Sequence, residues 1–265
     1  MEQEIYLKSD RDTEIHTYIN SADQKSGLLV FAHSFKGEAN EDGRFEKLAK
    51  LLESIYVSSI RMEFPGSINS LEDDSTYSLS NCLADMEVCT SYMLDNYDID
   101  TKHLALLGYS MGGRLVSLFN MKHPEFKTMV LWAPCCKIFE LSDSFLEQPL
   151  VSLKKQADEK GYIDFYDIYN DKNTVFPKEF VADLLDGRIE EFKKFNGNIL
   201  IIHGDKDTTV PLEESKKLYD SLQNCEDKKL KIIKGADHGF GLWDQRIEDS
   251  EEPIMSSFDY LKKHI

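Results

Sequence analysis

Apolar positions along this chain follow two periods that take turns. "EIYLKS" and "TEIHTYIN" alternate apolar and polar residues on either side of the turn-like Asp10-Arg11-Asp12, which predicts an N-terminal β-hairpin. "GLLVFAHSF" is an almost unbroken apolar run, as expected of a strand covered on both faces. Phe45, Leu48, Ala49, Leu52 and Ile55 then recur at helical spacing. "YVSSIRMEF" reads as a strand ending at Pro65-Gly66, and Leu79, Cys82, Leu83, Met86, Cys89 and Met93 make a second helical stripe. "HLALLGYS" is a strand, Met111 to Met121 a helix that stops near Pro124, and "KTMVLWAP" the next strand. After an interval the rhythm resumes with "NILIIHG", a helix from Pro211, the strand "KLKIIKG" and a last helix around Pro253 to Lys263. Strands alternating with helices predict parallel βαβ units: an α/β fold, its mostly parallel central sheet covered by helices on both faces.

The interval runs from Pro134 to Asn196. Its pattern is helical or irregular with no core strand, and it is too long for a plain connection. The predicted organisation is therefore a core of residues 1–134 and 196–265 with an inserted cap at 135–195. The cap holds ten aromatic residues: Phe139, Phe145, Tyr162, Phe165, Tyr166, Tyr169, Phe176, Phe180, Phe192 and Phe195. It has apolar surface to bury in a small core of its own or to offer to a ligand.

Composition narrows the function classes. Hydrophobic residues make up 41%, enough for a sizeable core. The 31 Lys and Arg against 48 Asp and Glu leave a net charge of −17, which argues against a nucleic-acid or anionic-membrane partner because both need a basic patch. "MEQEIYLKSDRD" has no basic n-region and no apolar stretch after it, so no signal peptide is expected. No apolar run approaches the roughly 18 residues of a membrane helix. The five cysteines are an odd count without CxxC spacing. They read as reduced thiols of a cytoplasmic protein, with the adjacent Cys135 and Cys136 as packing residues.

The candidate chemistry centres on "GYSMGG", Gly108 to Gly113, between a strand and a helix. A hydroxyl is a weak nucleophile at neutral pH and needs a base within hydrogen-bond reach and a group to orient that base. In G-x-S-x-G the glycines remove side chains that would clash across a sharp turn, which lifts Ser110 to the top of the sheet. The N–H of Met111, at a helix N-terminus, can then face a developing oxyanion. The chain order serine, acid, histidine supplies the partners. Asp207 in "DKDTTVP" sits just past a strand end and is preferred as the acid over Asp205, whose alternative role is to fix the turn. His238 in "ADHGF", 31 residues beyond Asp207, is the candidate base. His16, His103, His123, His203 and His264 sit where packing or surface placement explains them. The second oxyanion donor is expected from "FAHSFKG", as the N–H of Phe35, with His33 buttressing that loop. No H-E-x-x-H and no ligand-spaced Cys/His pairs occur, and no Lys-Ser/Thr follows the glycines, so neither a metal nor a nucleotide loop is expected. No cofactor is called for.

"HSFKG", "GYSMGG", "VLWAP", "IIHGDKDTTVP" and "DHGF", in this order, resemble the α/β-hydrolase superfamily, and within it the branch of cinnamoyl/feruloyl esterases and monoacylglycerol-lipase-like hydrolases. The resemblance covers nearly the whole chain outside the cap. It implies Ser110 as nucleophile, Asp207 as acid, His238 as base, Phe35 and Met111 as backbone oxyanion donors, and a cap over the pocket. Two departures stand out. The family usually carries His-Gly where this chain has His33-Ser34, and its G-x-G-x-S run is here "FPGSINS", keeping Gly66 and Ser70.

The expected function is a serine carboxylesterase acting on small esters, with aryl or short-to-medium acyl groups, and the expected partner is the small-molecule ester itself, with room for a homodimer. A peptidase, amidase or thioesterase would use the same triad. A peptidase would also need an acidic site for a substrate amine, for which Glu140, Asp143 and Glu147 in the cap are candidates. A non-catalytic binding protein on the same fold is the alternative from another class.

Overall fold

A computed structural model describes residues 2–136, 149–167, 171–241 and 250–265. The strands are β1 (Glu2–Lys8), β2 (Glu14–Asn20), β3 (Ser26–Ala32), β4 (Val57–Met62), β5 (Ile99–Tyr109), β6 (Thr128–Trp132), β7 (Tyr162–Asp167), β8 (Lys172–Pro177), β9 (Asn198–Gly204) and β10 (Asp227–Ile233). The α-helices are α1 (Arg44–Glu53), α2 (Leu79–Asn96), α3 (Met111–Lys122), α4 (Leu150–Lys160), α5 (Lys178–Leu185), α6 (Leu212–Ser221) and α7 (Glu251–His264).

Eight strands form one sheet in the order β1-β2-β4-β3-β5-β6-β9-β10. β1 pairs antiparallel with β2, and β2 with β4; every later pairing is parallel. The long apolar runs are explained by what lies on each face. Along β3, Leu28, Val30 and Ala32 enter one core with Cys82, Met86 and Cys89 of α2 and Leu115 and Val116 of α3. Leu29 and Phe31 enter the other, with Phe45, Leu48 and Leu52 of α1 and Ile254, Tyr260 and Leu261 of α7. Successive side chains point to opposite faces of a strand, so a strand with helices on both sides must be apolar at every position. Each such side chain, fully buried, contributes about 1.5–3 kcal/mol. α2 begins where Ser78 accepts the N–H of Asn81 at 3.0 Å, an N-cap that satisfies one orphan donor of the first turn. No described helix is long and apolar enough to cross a membrane.

The strand order fixes where a site can form. From β3 the chain crosses to β4 on one side, then returns past β3 to β5 on the other. The loops leaving β3 and β5 therefore diverge, and a crevice opens at their carboxyl ends, the usual ligand position in an open α/β sheet.

In the interval between β6 and β9, no described residue joins the main sheet. The segment contains α4, α5, a 3₁₀ segment (Gly187–Lys194) and the antiparallel hairpin β7–β8, whose two strands pair only with each other. The hairpin was not expected from the sequence. Its strands are short and carry charges, and its buried side chains meet partners distant in sequence. Phe176 and Phe180 pack on Phe35 and Tyr77, with Phe165 against Phe35 and Phe176. Phe192 and Phe195 stack on each other. Five of these rings belong to the segment, and Phe165, Phe176 and Phe180 join it to Phe35 and Tyr77 of the core, whereas Tyr162 and Tyr166 are exposed. Phe139, Phe145 and Tyr169, with Glu140, Asp143 and Glu147, lie outside the described residues.

Candidate active site

Ser110 stands between β5 and α3 with φ 54° and ψ −116°, a region a non-glycine residue occupies at a cost of about 1–3 kcal/mol. Close packing around it leaves no room for relaxation. A Cβ on Gly108 would lie 2.3 Å from the carbonyl oxygen of Gly112, and one on Gly112 would lie 2.0 Å from that of Ala32. The second contact shows that the elbow is pressed against the end of β3. The Ser110 N–H donates to the Trp132 carbonyl at 2.8 Å, and its own carbonyl accepts from Gly113 at 3.0 Å and Cys135 at 2.9 Å. The first turn of α3 and the end of β6 hold the serine backbone from both sides.

The side chains then line up. Ser110 Oγ is 3.0 Å from His238 Nε2, and His238 Nδ1 is 2.6 Å from Asp207 Oδ2. All three residues are buried or nearly so. Burial alone would raise the pKa of Asp207, but hydrogen bonds from His203 and His238, the charge of His238 and the Val210 N–H together pull it down to about 2. The carboxylate is therefore ionised and can only accept, so the proton shared with His238 sits on Nδ1. Nε2 is left with its lone pair toward the serine hydroxyl. Asp207 Oδ1 is held by the N–H groups of Thr209 at 2.9 Å and Val210 at 2.8 Å.

The competing residues are engaged elsewhere. Asp205 Oδ1 accepts the Gly235 N–H at 2.6 Å and ties together the turns after β9 and β10. His33 lies in the loop after β3: its Nδ1 bonds to the Ser34 carbonyl at 2.7 Å, its Nε2 accepts the Phe64 N–H at 3.0 Å, and its ring lies over Phe64. Both nitrogens thus serve the loop. His16 pairs with Glu4, His103 with Asp100, His123 with Glu87 and Glu125, and His264 with Asp227. All five cysteines are free. Burial pushes the thiols of Cys135 and Cys136 up to about 12, as suits packing residues. Among the described residues no cluster of His, Cys, Asp or Glu could hold a metal ion.

Of the two backbone positions, Met111 is the first residue of α3, where N–H groups lack intrahelical partners. Phe35 lies in the loop after β3, its ring packed against Phe180 and Tyr77.

The family model for the prolyl oligopeptidase family matches residues 78–264. The chain belongs to that family. The matched span includes Ser110, Asp207 and His238 and excludes the loop after β3. No curated protein matches. Among solved structures, Est1E from Butyrivibrio proteoclasticus with ferulic acid bound is similar at 21% identity, with 97% of this chain and 99% of that one covered and a TM-score of 0.77. The monoacylglycerol lipase of Paleococcus ferrophilus is similar at 18% identity over 96% and 100%, with a TM-score of 0.75. Mouse alpha/beta hydrolase domain-containing protein 10 matches at 18% over 98% and 99%, with a TM-score of 0.69. This member of the prolyl oligopeptidase family has the α/β-hydrolase fold, and family and fold together support a hydrolase.

Two features of this member were not legible in the sequence. His203 is fully buried, and its Nε2 lies 3.1 Å from Asp207 Oδ2 and 2.8 Å from the Val210 carbonyl, while Nδ1 meets Ser215 Oγ at 2.7 Å. Since Nε2 faces two acceptors it carries the proton, and His203 becomes a second donor to the Asp207 carboxylate. Its only sequence signal is a histidine at a strand end four residues before an aspartate. The second feature is Lys36, next to Phe35, which donates to the Gly66 carbonyl at 3.0 Å and pairs with Asp74 at 2.5 Å and Asp167 of β7 at 3.2 Å. The loop after β3 is thus tied to the hairpin between β6 and β9. Arg114 of α3 makes a similar tie, donating to the carbonyls of Cys136 at 3.1 Å and of Asp183 and Asp186 at 3.2 and 2.9 Å. The latter two close the C-terminal end of α5, where carbonyls lack intrahelical partners.

Proposed function

We propose that this protein is a serine hydrolase that cleaves small carboxylic esters through an acyl-enzyme on Ser110. The observation that carries the reading is the continuous chain from Ser110 Oγ through His238 to Asp207, set on a strained strand-to-helix turn. Ser110 attacks the acyl carbonyl while His238 Nε2 takes the hydroxyl proton. Asp207 holds the ring by Nδ1 and stabilises the imidazolium. The N–H groups of Met111 and Phe35 are assigned to the oxyanion. As the tetrahedral intermediate collapses, His238 returns the proton to the leaving alkoxide. Water, activated by the same nitrogen, then releases the acid. The segment 135–195 serves as the cap over this site. The preference for esters rests on the motif resemblance, with the ferulate-bound Est1E and the monoacylglycerol lipase as fold relatives that fit it.

A peptidase reading has one specific observation in its favour, the match to the prolyl oligopeptidase family. The triad chemistry is the same and only the leaving group differs. One experiment separates these readings from each other and from a non-catalytic fold: labelling with a fluorophosphonate probe, followed by a panel of p-nitrophenyl esters and aryl amides. Ser110→Ala should lose labelling and lower ester turnover by about 10⁴-fold or more, because the triad acts as a unit. A mutant retaining more than about a tenth of wild-type turnover would overturn the assignment. Amides cleaved faster than esters would establish the peptidase reading.

A further inference from the structure

The groups used in the proposed mechanism sit on four connections, after β3, β5, β9 and β10, and one buried ion pair touches the chain beside three of them. Glu41 lies in the loop between β3 and α1 and Arg44 is the first residue of α1, only 3% and 4% exposed. One oxygen of the Glu41 carboxylate accepts the N–H of Ser34, the residue before Phe35. The other accepts from Arg44 Nη2 at 3.1 Å. Arg44 Nε donates to the Glu41 carbonyl at 2.9 Å, and Nη1 crosses to the Gly239 carbonyl at 3.0 Å, immediately after His238. The guanidinium lies 5.0 Å from the ring centre of Tyr109, the residue before Ser110. The Tyr109 hydroxyl in turn donates to the His238 carbonyl at 2.9 Å.

The backbone at this pair is held under strain. Glu41 and Asp42 have φ of 47° and 52°, ahead of Gly43 at 82°. Left-handed conformations at two successive non-glycine residues cost about 1–2 kcal/mol each and persist only where the surroundings over-determine them. Stability does not account for the arrangement, because a buried ion pair is often no better than apolar residues of the same volume. What the pair supplies is fixed geometry. Its contacts also fall where this chain departs from the pattern it resembles, at Ser34, whose N–H the carboxylate pins.

We propose that Glu41 and Arg44 are positioning residues that hold the loop of Phe35 and the loop of His238 in register across Ser110. The proposal rests on the serine-hydrolase reading. Neither side chain touches substrate in this scheme. Their loss displaces the oxyanion donor and the base relative to the serine, and a misplacement near 1 Å costs about 10²-fold in rate. Ground-state binding of the ester is left nearly intact.

The test uses Glu41→Gln, Arg44→Lys and Tyr109→Phe in the full-length protein. Rates on p-nitrophenyl butyrate are expressed per active site titrated with the fluorophosphonate, so that misfolded protein drops out, and inhibition by a boronic acid reports transition-state complementarity. For Glu41→Gln and Arg44→Lys, kcat should fall by about 10- to 100-fold with KM within about threefold, and the boronate inhibition constant should rise in proportion to the kcat loss. Tyr109→Phe, which deletes a single hydroxyl, should lower kcat by about three- to tenfold. A folded Glu41→Gln variant whose kcat stays within about threefold of wild type overturns the proposal. Should Glu41→Gln not fold, Arg44→Lys decides, and a kcat within about threefold of wild type overturns it. A wild type that is neither labelled nor active overturns the hydrolase reading itself, and this proposal with it.

Discussion

Replacing Asp207 by asparagine should be far more damaging than the same change at Asp205, and the contacts show why. Asp207 receives two donors on each oxygen: Thr209 and Val210 N–H on Oδ1, and His238 Nδ1 and His203 Nε2 on Oδ2. An asparagine has one acceptor end and one NH₂ end, so in either orientation the NH₂ faces two donors. If it faces the histidines, His238 must shift its proton to Nε2, and that nitrogen can no longer accept from Ser110. If it faces Thr209 and Val210, two backbone donors are repelled and the loop after β9 moves. The wrong tautomer alone costs about 10⁴-fold in kcat. The two lost charge-assisted bonds cost about 1.5–3 kcal/mol each in stability. Among the described residues the Asp205 carboxylate makes one hydrogen bond, from the Gly235 N–H at 2.6 Å to Oδ1, and the amide oxygen of asparagine can keep it. Activity there should stay within about tenfold of wild type. The assay is kcat on p-nitrophenyl butyrate per titrated site, with thermal unfolding followed in parallel. The reasoning is refuted if Asp205→Asn is the more damaging change, or if folded Asp207→Asn keeps more than about a tenth of wild-type turnover.

Gly112→Ala would place a methyl 2.0 Å from the Ala32 carbonyl oxygen, forcing the elbow and the end of β3 apart by about 1 Å, and fluorophosphonate labelling of the folded variant should slow by about 10²-fold; unchanged labelling would show that the close approach is not needed. Asp207 also links stability to pH. Its folded pKa of about 2 lies below the ordinary 3.8, so the stabilisation is fully present above about pH 4 and is lost as pH falls through 2. The unfolding free energy of wild type minus that of Asp207→Asn, from urea titrations, should therefore shrink by about 2 kcal/mol between pH 5 and pH 2, whereas a constant difference would mean that the carboxylate is not held ionised by the fold.

The local pattern of residues determined the elements and the order of the chemistry. Period-two and period-3.6 stripes placed the hairpin, the parallel strands and the helices, because those periods record which side of each element meets a core. The serine, aspartate and histidine were legible for a related reason. The tight turn at Ser110 admits only small neighbours at Gly108 and Gly112, and an aspartate and a histidine must follow particular strands to reach it. What the tertiary structure decided lies in contacts between distant residues. Glu41 and Arg44 look like the charged start of a solvated helix, yet Arg44 meets Gly239, 195 residues away. Lys36 and Asp167 are ordinary polar loop and strand residues until β7 comes to lie against the loop after β3. His203 is indistinguishable in sequence from any buried strand-end histidine until the loop beyond β9 turns Asp207 back onto it. Side-chain type and spacing encode which face of an element is buried. Which charged group on another element waits there depends on how strands β3, β5, β9 and β10 stack in the sheet, and no local period carries that information.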